Sequence, residues 1–387
     1  MPTLHLIDRY ADELTAIRRD LHAHPELGFE EVRTSRLVAE KLATWGIEVH
    51  CSIGQTGVVG VLKGRSDKGR SIGLRADMDA LPMDEATDLP YRSTIPNRFH
   101  GCGHDGHTTI LLGAARYLAE TRNFSGTVVF IFQPAEEGLG GARAMLADRL
   151  FERFPCDEIY ALHNSPYLEP GQVSIRPGVA AAGADFFDIS IKGRGSHGAE
   201  PEESRDPIVV ATALAQALQS IVSRNLHPSE PAVLSITQIQ AGSAYNIIPE
   251  YATLAGTIRA FTDETRDKIR DRIRSIAAGM AMSFDVEITV DIRDIFTVLE
   301  NSEEHAIALA DVAREVVGED KVLTAPRPSM GSEDFADMLR AVPGAYWSLG
   351  HGGDVPLHNS GFIFDDAILS TGASLFARLV EKRLPAL

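Results

Sequence analysis

The sequence predicts an α/β protein: a central mixed sheet flanked by helices, interrupted by an inserted β-α-β-β-α-β (ferredoxin-like) domain. Three observations carry this. Short apolar runs alternate with helical patterns through the first half of the chain, which is how a sheet covered by helices is written in sequence. The middle of the chain holds a β-α-β-β-α-β series that is complete in itself. The 387 residues are 44% apolar and 24% charged, enough to close a core and unlike a disordered chain.

The elements follow in order. Apolar residues recur at helical spacing from Arg9 to Leu21 and again from Arg33 to Trp45, where Gly46 ends the pattern. Gly57–Leu62, Ser71–Ala76, Gly126–Phe132 and Glu158–Leu162 read as strands, with a helix at Thr108–Glu120 between the second and third. The inserted series then runs as strand Asp185–Lys192, helix Ile208–Ser223, strands Ala232–Gln240 and Tyr251–Ala260, helix Asp263–Ser283 and strand Val286–Ile292. Arg176-Pro177-Gly178 and Thr297-Val298-Leu299 are the expected hinges. Helices at Glu303–Val317 and Glu333–Ala341, a strand at Ala345–Leu349 and a terminal helix return to the first domain. The expected division is therefore 1–180 with 297–387, and 181–296 inserted.

Charge narrows the partners. Lys and Arg number 37 against 54 Asp and Glu, a formal charge of −17, which repels nucleic acid and anionic membrane but not a small substrate in a local pocket. Cys51, Cys102 and Cys156 are too few and too scattered for a disulfide framework and suit a reducing compartment. Neither a basic leader with an apolar run nor a membrane-spanning stretch is read, so the expected location is cytoplasmic.

The densest chemical signal is His100-Gly101-Cys102-Gly103-His104-Asp105-Gly106-His107. Glycines allow a tight turn, and thiol, imidazole and carboxylate are together the ligand set of a zinc-like or manganese-like ion. A helix N-terminus here would favour a thiolate at Cys102. Phe132-Gln133-Pro134-Ala135-Glu136-Glu137-Gly138 places adjacent carboxylates at the end of an apolar strand, where open α/β sheets hold their ligands. One Glu can then bind an ion while its neighbour, pointing elsewhere, faces a water. Tyr160-Ala161-Leu162-His163-Asn164 and Val355-Pro356-Leu357-His358-Asn359-Ser360-Gly361 each add a histidine. Alone, a Glu pair is an ordinary solvated turn and a strand-end His an ordinary core residue; with the Cys-His turn they complete a two-metal set.

In these motifs the chain resembles the two-metal amidohydrolases that include aminoacylases and zinc carboxypeptidases, and within them the hippurate hydrolase and auxin–amino-acid conjugate hydrolase branch. The resemblance also runs through His22-Ala23-His24-Pro25-Glu26, Leu74–Pro82, Gly195-Ser196-His197, Asn246-Ile247-Ile248-Pro249 and Gly256-Thr257-Ile258-Arg259, in the expected order over almost the full length.

The resemblance implies metal-dependent hydrolysis of the amide bond of N-acyl amino acids, with dipeptidase, carboxypeptidase and deacetylase activities as alternatives on the same scaffold. Cys102, His104, Glu137, His163 and His358 become ligands of two divalent ions, manganese or zinc, and Glu136 the general base. Asp77 stands where the wider family has a metal-binding His, a departure shared with the hippurate hydrolase branch, so the division of ligands between the ions stays open. Asp79 is expected to orient a ligand. His197 would approach the reacting carbonyl, often from a neighbouring subunit, and Asn246 and Arg259 would line the substrate side. The sequence by itself shows a turn carrying one His and, at Arg259, a strand arginine suited to a structural salt bridge. The inserted domain would serve as lid and dimerisation domain of a homodimer, the rest as the metal-binding catalytic domain. A loop at Gly331-Ser332-Glu333-Asp334 is expected near the substrate.

Overall fold

Five consecutive apolar residues, Val128-Val129-Phe130-Ile131-Phe132, cannot form a one-sided strand, because alternate side chains point to opposite faces and both must be covered. In the computed structural model, which describes residues 4–66 and 68–386, they form the middle of a strand with a core on each side. Along the chain come α1 (His5–Asp8), α2 (Ala11–Ala23), α3 (Val32–Thr44), β1 (Glu48–Ile53), β2 (Gly57–Lys63), β3 (Ser71–Asp77), α4 (His104–Thr121), β4 (Thr127–Gln133), α5 (Gly141–Ala147), α6 (Leu150–Arg153), β5 (Glu158–Ser165), β6 (Val173–Ile175) and β7 (Gly178–Ala181). Then follow β8 (Gly183–Lys192), β9 (Ser196–His197), α7 (Pro207–Ser220), β10 (Ala232–Ala241), β11 (Ile247–Ile248), β12 (Tyr251–Ala260), α8 (Asp263–Phe284) and β13 (Glu287–Phe296). The chain ends with β14 (Leu299–Asn301), α9 (Glu303–Val317), β15 (Val322–Leu323), α10 (Phe335–Ala341), β16 (Gly344–Gly350) and α11 (Leu369–Arg383).

Two compact units emerge: Met1–Ala180 with Glu300–Pro328 and Asp334–Leu387, and Ala181–Leu299 with Ser329–Glu333. The second unit thus takes in 297–299 and 329–333, beyond the expected 181–296. The Ala182 backbone N–H, which donates to Ser329 and Gly331 carbonyls at 3.0 and 3.1 Å, ties the later segment in.

The first unit is built on an eight-stranded mixed sheet in the order β1-β2-β4-β3-β5-β16-β6-β15. Val128, Phe130, Phe132, Tyr160 and Leu162 face one core, which α2, α4, α9 and α11 complete; Val129, Ile131, Ile159 and Ala161 face the other, closed by α5, α6 and α10. β3, β4, β5 and β16 run parallel, so their C-terminal ends at Asp77, Gln133, Ser165 and Gly350 lie along one edge, the edge where such sheets bind ligands.

Three expectations need correction. β1 was not expected, because Glu48, His50, Cys51 and Ser52 break the apolar pattern; the strand is an outer one, paired only with β2, and does not need apolar residues on both faces. The helix expected at Thr108–Glu120 starts at His104, because the polar residues of the Gly-rich turn form its buried first turn. The helix expected from Glu333 starts at Phe335. Asp334 does not cap it but accepts from Arg75, Gln133 and the Ala142 backbone N–H.

Glu158, at the start of β5, shows how the sheet ends are held. It is buried and accepts hydrogen bonds from Arg383 of α11 at 2.6, 2.9 and 3.1 Å and one from Tyr160. Against the upward push of burial, His305 and Arg383 hold its carboxyl down at about 2. A carboxyl lowered in the folded state stabilises the fold above the unfolded carboxyl range, and this contribution disappears as pH falls towards 2. Glu158→Gln should therefore cost about 3–5 kcal/mol at pH 7, the span for breaking one partner of a buried pair. In thermal melts the gap to wild type should narrow between pH 5 and pH 2; a gap that stays constant over that range would reject the ion pair as its cause.

In the second unit the order β8-α7-β10-β12-α8-β13 forms a four-stranded antiparallel sheet arranged β10-β12-β8-β13. Phe187, Ile189 and Ile191 of β8 point to the core under α7 and α8, while Asp188, Ser190 and Lys192 between them are exposed. Asp206 caps α7 by accepting the Ile208 N–H at 2.8 Å, and Pro207 takes the first helical position. The helix stops at Ser220, and a wider π turn carries 221–225, where the sequence pattern had continued the helix to Ser223.

Candidate metal centre

The Cys-His turn works because Gly103 sits at φ +93°, and a Cβ there would lie 2.5 Å from Asn164 Oδ1. This left-handed residue ends the turn and opens α4, so Cys102 and His104 are presented beside the C-terminal ends of β3 and β5. Cys102 Sγ is 3.4 Å from His163 Nε2. The Glu pair arrives from the turn after β4, and His358 from the loop before α11, where its backbone takes φ +61° and its N–H donates to Gly101 carbonyl at 2.9 Å. His358 Nε2 lies 3.2 Å from Glu137 Oε1, and His104 Nε2 lies 3.8 Å from the same oxygen.

The donor atoms fall into overlapping groups of three, each within 4.8 Å: Cys102, His104 and His163; Cys102, Glu137 and His358; His104, Glu136 and Glu137. Cys102 belongs to two of them. A fourth group, Asp77, His104 and His107, lies behind. His104 Nε2 and Glu137 Oε1 are buried without a hydrogen-bond partner, a costly state for polar atoms that a cation between them would relieve. The tautomers also suit ligation. His104 Nδ1–H donates to Asp79 Oδ1 at 3.1 Å and His163 Nδ1–H to the Asn164 carbonyl at 2.7 Å, leaving each Nε2 lone pair turned to the cluster. Asp79 Oδ2 accepts the Glu137 backbone N–H at 3.0 Å, so one carboxylate touches two of the donors' residues.

Against burial, Asp77 and Cys102 raise His104 well above the usual imidazole range, and the adjacent Cys102 and Glu137 bring His358 up to about 10. Burial and the nearby His107 depress His163. Burial, then the Glu137 carboxylate, push the Cys102 thiol up, and His104 and His358 oppose them. Divalent ions of intermediate softness fit the thiol, imidazole and carboxylate donors of this set.

Not all of the His-rich turn converges. Asp105 binds His22 at 2.8 Å and Arg18 at 3.4 Å, and His100 is buried beside His22 instead. His107 donates to Asp77 Oδ1 at 2.6 Å and accepts the Asn164 N–H at 2.9 Å. Asp77 in turn binds Arg75 at 2.7 Å, and against burial His104, His107 and then this guanidinium keep Asp77 well below the carboxylate range. Sequence reasoning missed Asn164 and Arg75 as supports of the site; each lies in a quoted motif, but only the fold shows what it holds.

His197, Asn246 and Arg259 lie in the second unit. His197 is exposed on β9, opposite Ile247 of β11, and the Gly198 N–H donates to the Asn246 carbonyl at 2.8 Å, so His197 and Asn246 share one small ribbon. Arg259, on β12, is partly buried and donates to Thr257 and to the Ile258 carbonyl; among the described residues it makes no ion pair. The structural salt bridge ordinarily expected of a strand arginine is absent.

Residues 73–382 match peptidase family M20/M25/M40. A hippurate hydrolase of Campylobacter jejuni is 47% identical over 96% of this chain and 97% of its own length. An N-acetylcysteine deacetylase of Bacillus subtilis is 37% identical over 95% of each. Among solved structures, a dinuclear metal-binding M20 peptidase from Bacillus subtilis superposes with a TM-score of 0.84 at 34% identity, covering 97% of this chain and 99% of that one. This chain belongs to the peptidase family M20/M25/M40 and is a metal-dependent amidohydrolase.

Proposed function

We propose that the enzyme hydrolyses the amide bond of N-acyl amino acids, releasing a carboxylic acid and an amino acid. The carrying observation is the pair of three-donor groups that share Cys102 beside Glu136 and Glu137. The hippurate hydrolase and N-acetylcysteine deacetylase among its relatives support this substrate class. Cys102, His104, Glu137, His163 and His358 would hold two divalent ions, manganese or zinc, with Asp79 orienting His104. Such ions supply Lewis-acid polarisation of the amide carbonyl and lower the pKa of water towards neutrality. Glu136 takes a proton from the attacking water and returns it to the departing amine. His197 stabilises the negative charge that develops on the carbonyl oxygen. Arg259, free of ion pairs, grips the substrate carboxylate through its planar fork, and Asn246 lines the same side.

The second unit serves as a ferredoxin-like lid and dimerisation domain, and its two outer strands support a homodimer. β13 carries Glu287, Asp291, Arg293 and Asp294, the usual protection of an exposed edge. β10 carries no charge over its ten residues, nor does α7 over its fourteen, and Val209 and Ile239 are about half exposed there. A second copy across that edge would cover them.

Turnover of a panel of N-acetyl, N-benzoyl and indoleacetyl amino acids and dipeptides, after reconstitution with each ion, tests the substrate class. Absence of N-acyl amino-acid turnover in ion-loaded enzyme would reject it. Ligand sharing has its own outcome. Cys102→Ala should lose both ions, whereas His163→Ala and His358→Ala should each keep one, as read by elemental analysis of the dialysed protein. Retention of one ion in Cys102→Ala would show that the thiol serves a single ion.

A further inference from the structure

Glu31 immediately precedes α3 and is fully buried, far in sequence from every expected metal ligand. Its Oε1 accepts the Ala135 backbone N–H at 2.8 Å, and its Oε2 accepts the Thr56 hydroxyl at 2.5 Å. Ala135 is the residue before Glu136, and its φ of +53° is left-handed, a conformation that costs a residue with a Cβ about 1–2 kcal/mol. Such a turn persists only where its surroundings over-determine it. Here the Ala135 carbonyl accepts the Gly141 N–H at 3.0 Å, and a Cβ on Gly141 would meet the Pro134 carbonyl at 1.6 Å. The turn's other side is held by Asp79 at the Glu137 N–H. Two carboxylates from separate parts of the chain thus grip alternate N–H groups of the turn that carries the Glu pair.

We infer that Glu31 is a positioning residue for the hydrolysis: by holding the Ala135 N–H it fixes the strained turn that aims Glu136. This rests on the reading of Glu136 as the group that accepts and returns the proton. Burial, joined by the charge of Asp79 and opposed by the Thr56 hydroxyl, pushes the Glu31 carboxyl up to about 7. A neutral group of the same shape can therefore occupy the position, and the amide oxygen of Gln can still accept the Ala135 N–H. Alanine cannot, and it leaves a buried donor unpaired.

The test uses ion-loaded full-length enzyme carrying Glu31→Ala, Glu31→Gln, Thr56→Val or Glu136→Gln, with ions per chain, thermal midpoint, kcat and KM measured for each. Glu31→Ala should lose about 10- to 100-fold in kcat, the scale of an ångström-sized misplacement, with KM within about two-fold and ion content unchanged. Glu31→Gln should recover to within about three-fold of wild type. Thr56→Val, which frees one oxygen of Glu31, should fall between them. A purely structural Glu31 would lower the thermal midpoint and leave kcat per ion-loaded chain alone, and that result overturns the inference. So does a Glu31→Gln enzyme with kcat as low as that of Glu31→Ala. If Glu31→Ala fails to fold, wild-type kcat in Thr56→Val overturns it equally. An active Glu136→Gln would refute the underlying reading, whereas an inactive Glu136→Gln beside a fully active Glu31→Ala refutes only the role of Glu31.

Discussion

Glu136→Gln should retain its ions and lose about two to four decades of kcat, the span usually contributed by a general acid–base group. The substitution keeps the shape and the hydrogen-bonding oxygen but removes the ability to accept a proton at neutral pH. Glu136 is buried within 4.8 Å of donor atoms of His104 and Glu137, so its side chain stands at the cluster. The neighbouring Glu137→Gln supplies the contrast. Glu137 Oε1 is the atom near both His104 and His358, and its loss should lower ion content as well as turnover. Elemental analysis and steady-state kinetics on the two variants separate the roles. Near-normal kcat in ion-loaded Glu136→Gln would remove it as the proton carrier, and full ion content in Glu137→Gln would remove that residue from the ligands.

The contrast between neighbours depends on backbone direction, and that is also where sequence stopped being informative. β4 and β5 were legible because strands buried on both faces are apolar throughout, and the run from Val128 to Phe132 has no other explanation. Cys102, His104, Glu137 and His163 stood out in the sequence because their residue types sit at strand ends and in one Gly-rich turn, whereas His358, in a loop, drew meaning only from the others and from the family resemblance. β1 was not legible, since a strand at the sheet's margin tolerates Glu48, His50 and Ser52. The first turn of α4 was hidden for a related reason. His104, Asp105 and His107 read as a ligand-bearing turn ahead of the helix, yet they are its buried first turn, because Asp79, His22 and Asp77 supply their partners. Those partners lie 25 or more residues away, and no local pattern announces them. Glu31 is the extreme case: a carboxylate two residues outside an amphipathic helix pattern, set apart only by the backbone N–H it reaches 104 positions later. Likewise His100 shares the turn with Cys102 but points towards His22, because a tight turn sends neighbouring side chains to different places.

Mixing two inactive variants should restore activity to about a quarter of all sites if His197 of one subunit serves the metal centre of the other. The parents are Glu136→Gln and His197→Ala. Random, equal reassociation makes about half of the dimers mixed. In each mixed dimer one site then combines both lesions, and the other pairs an intact Glu136 with an intact His197. If His197 instead acts within its own chain, every site keeps one lesion and mixing restores nothing. The exposure of His197 on a ribbon of the second unit, and the uncharged β10 edge of that unit, motivate the shared arrangement. Co-expression with two tags, purification of the doubly tagged dimer and a turnover assay decide the matter, since the purified mixed dimer should reach about half the wild-type rate per site. Removing the edge offers an independent check. Charges at β10, as in Ile239→Lys, should oppose pairing with a copy of itself and abolish the complementation while leaving the ion content of each chain intact. Activity of the mixed dimer no higher than that of either parent would reject the shared site, whatever holds the subunits together.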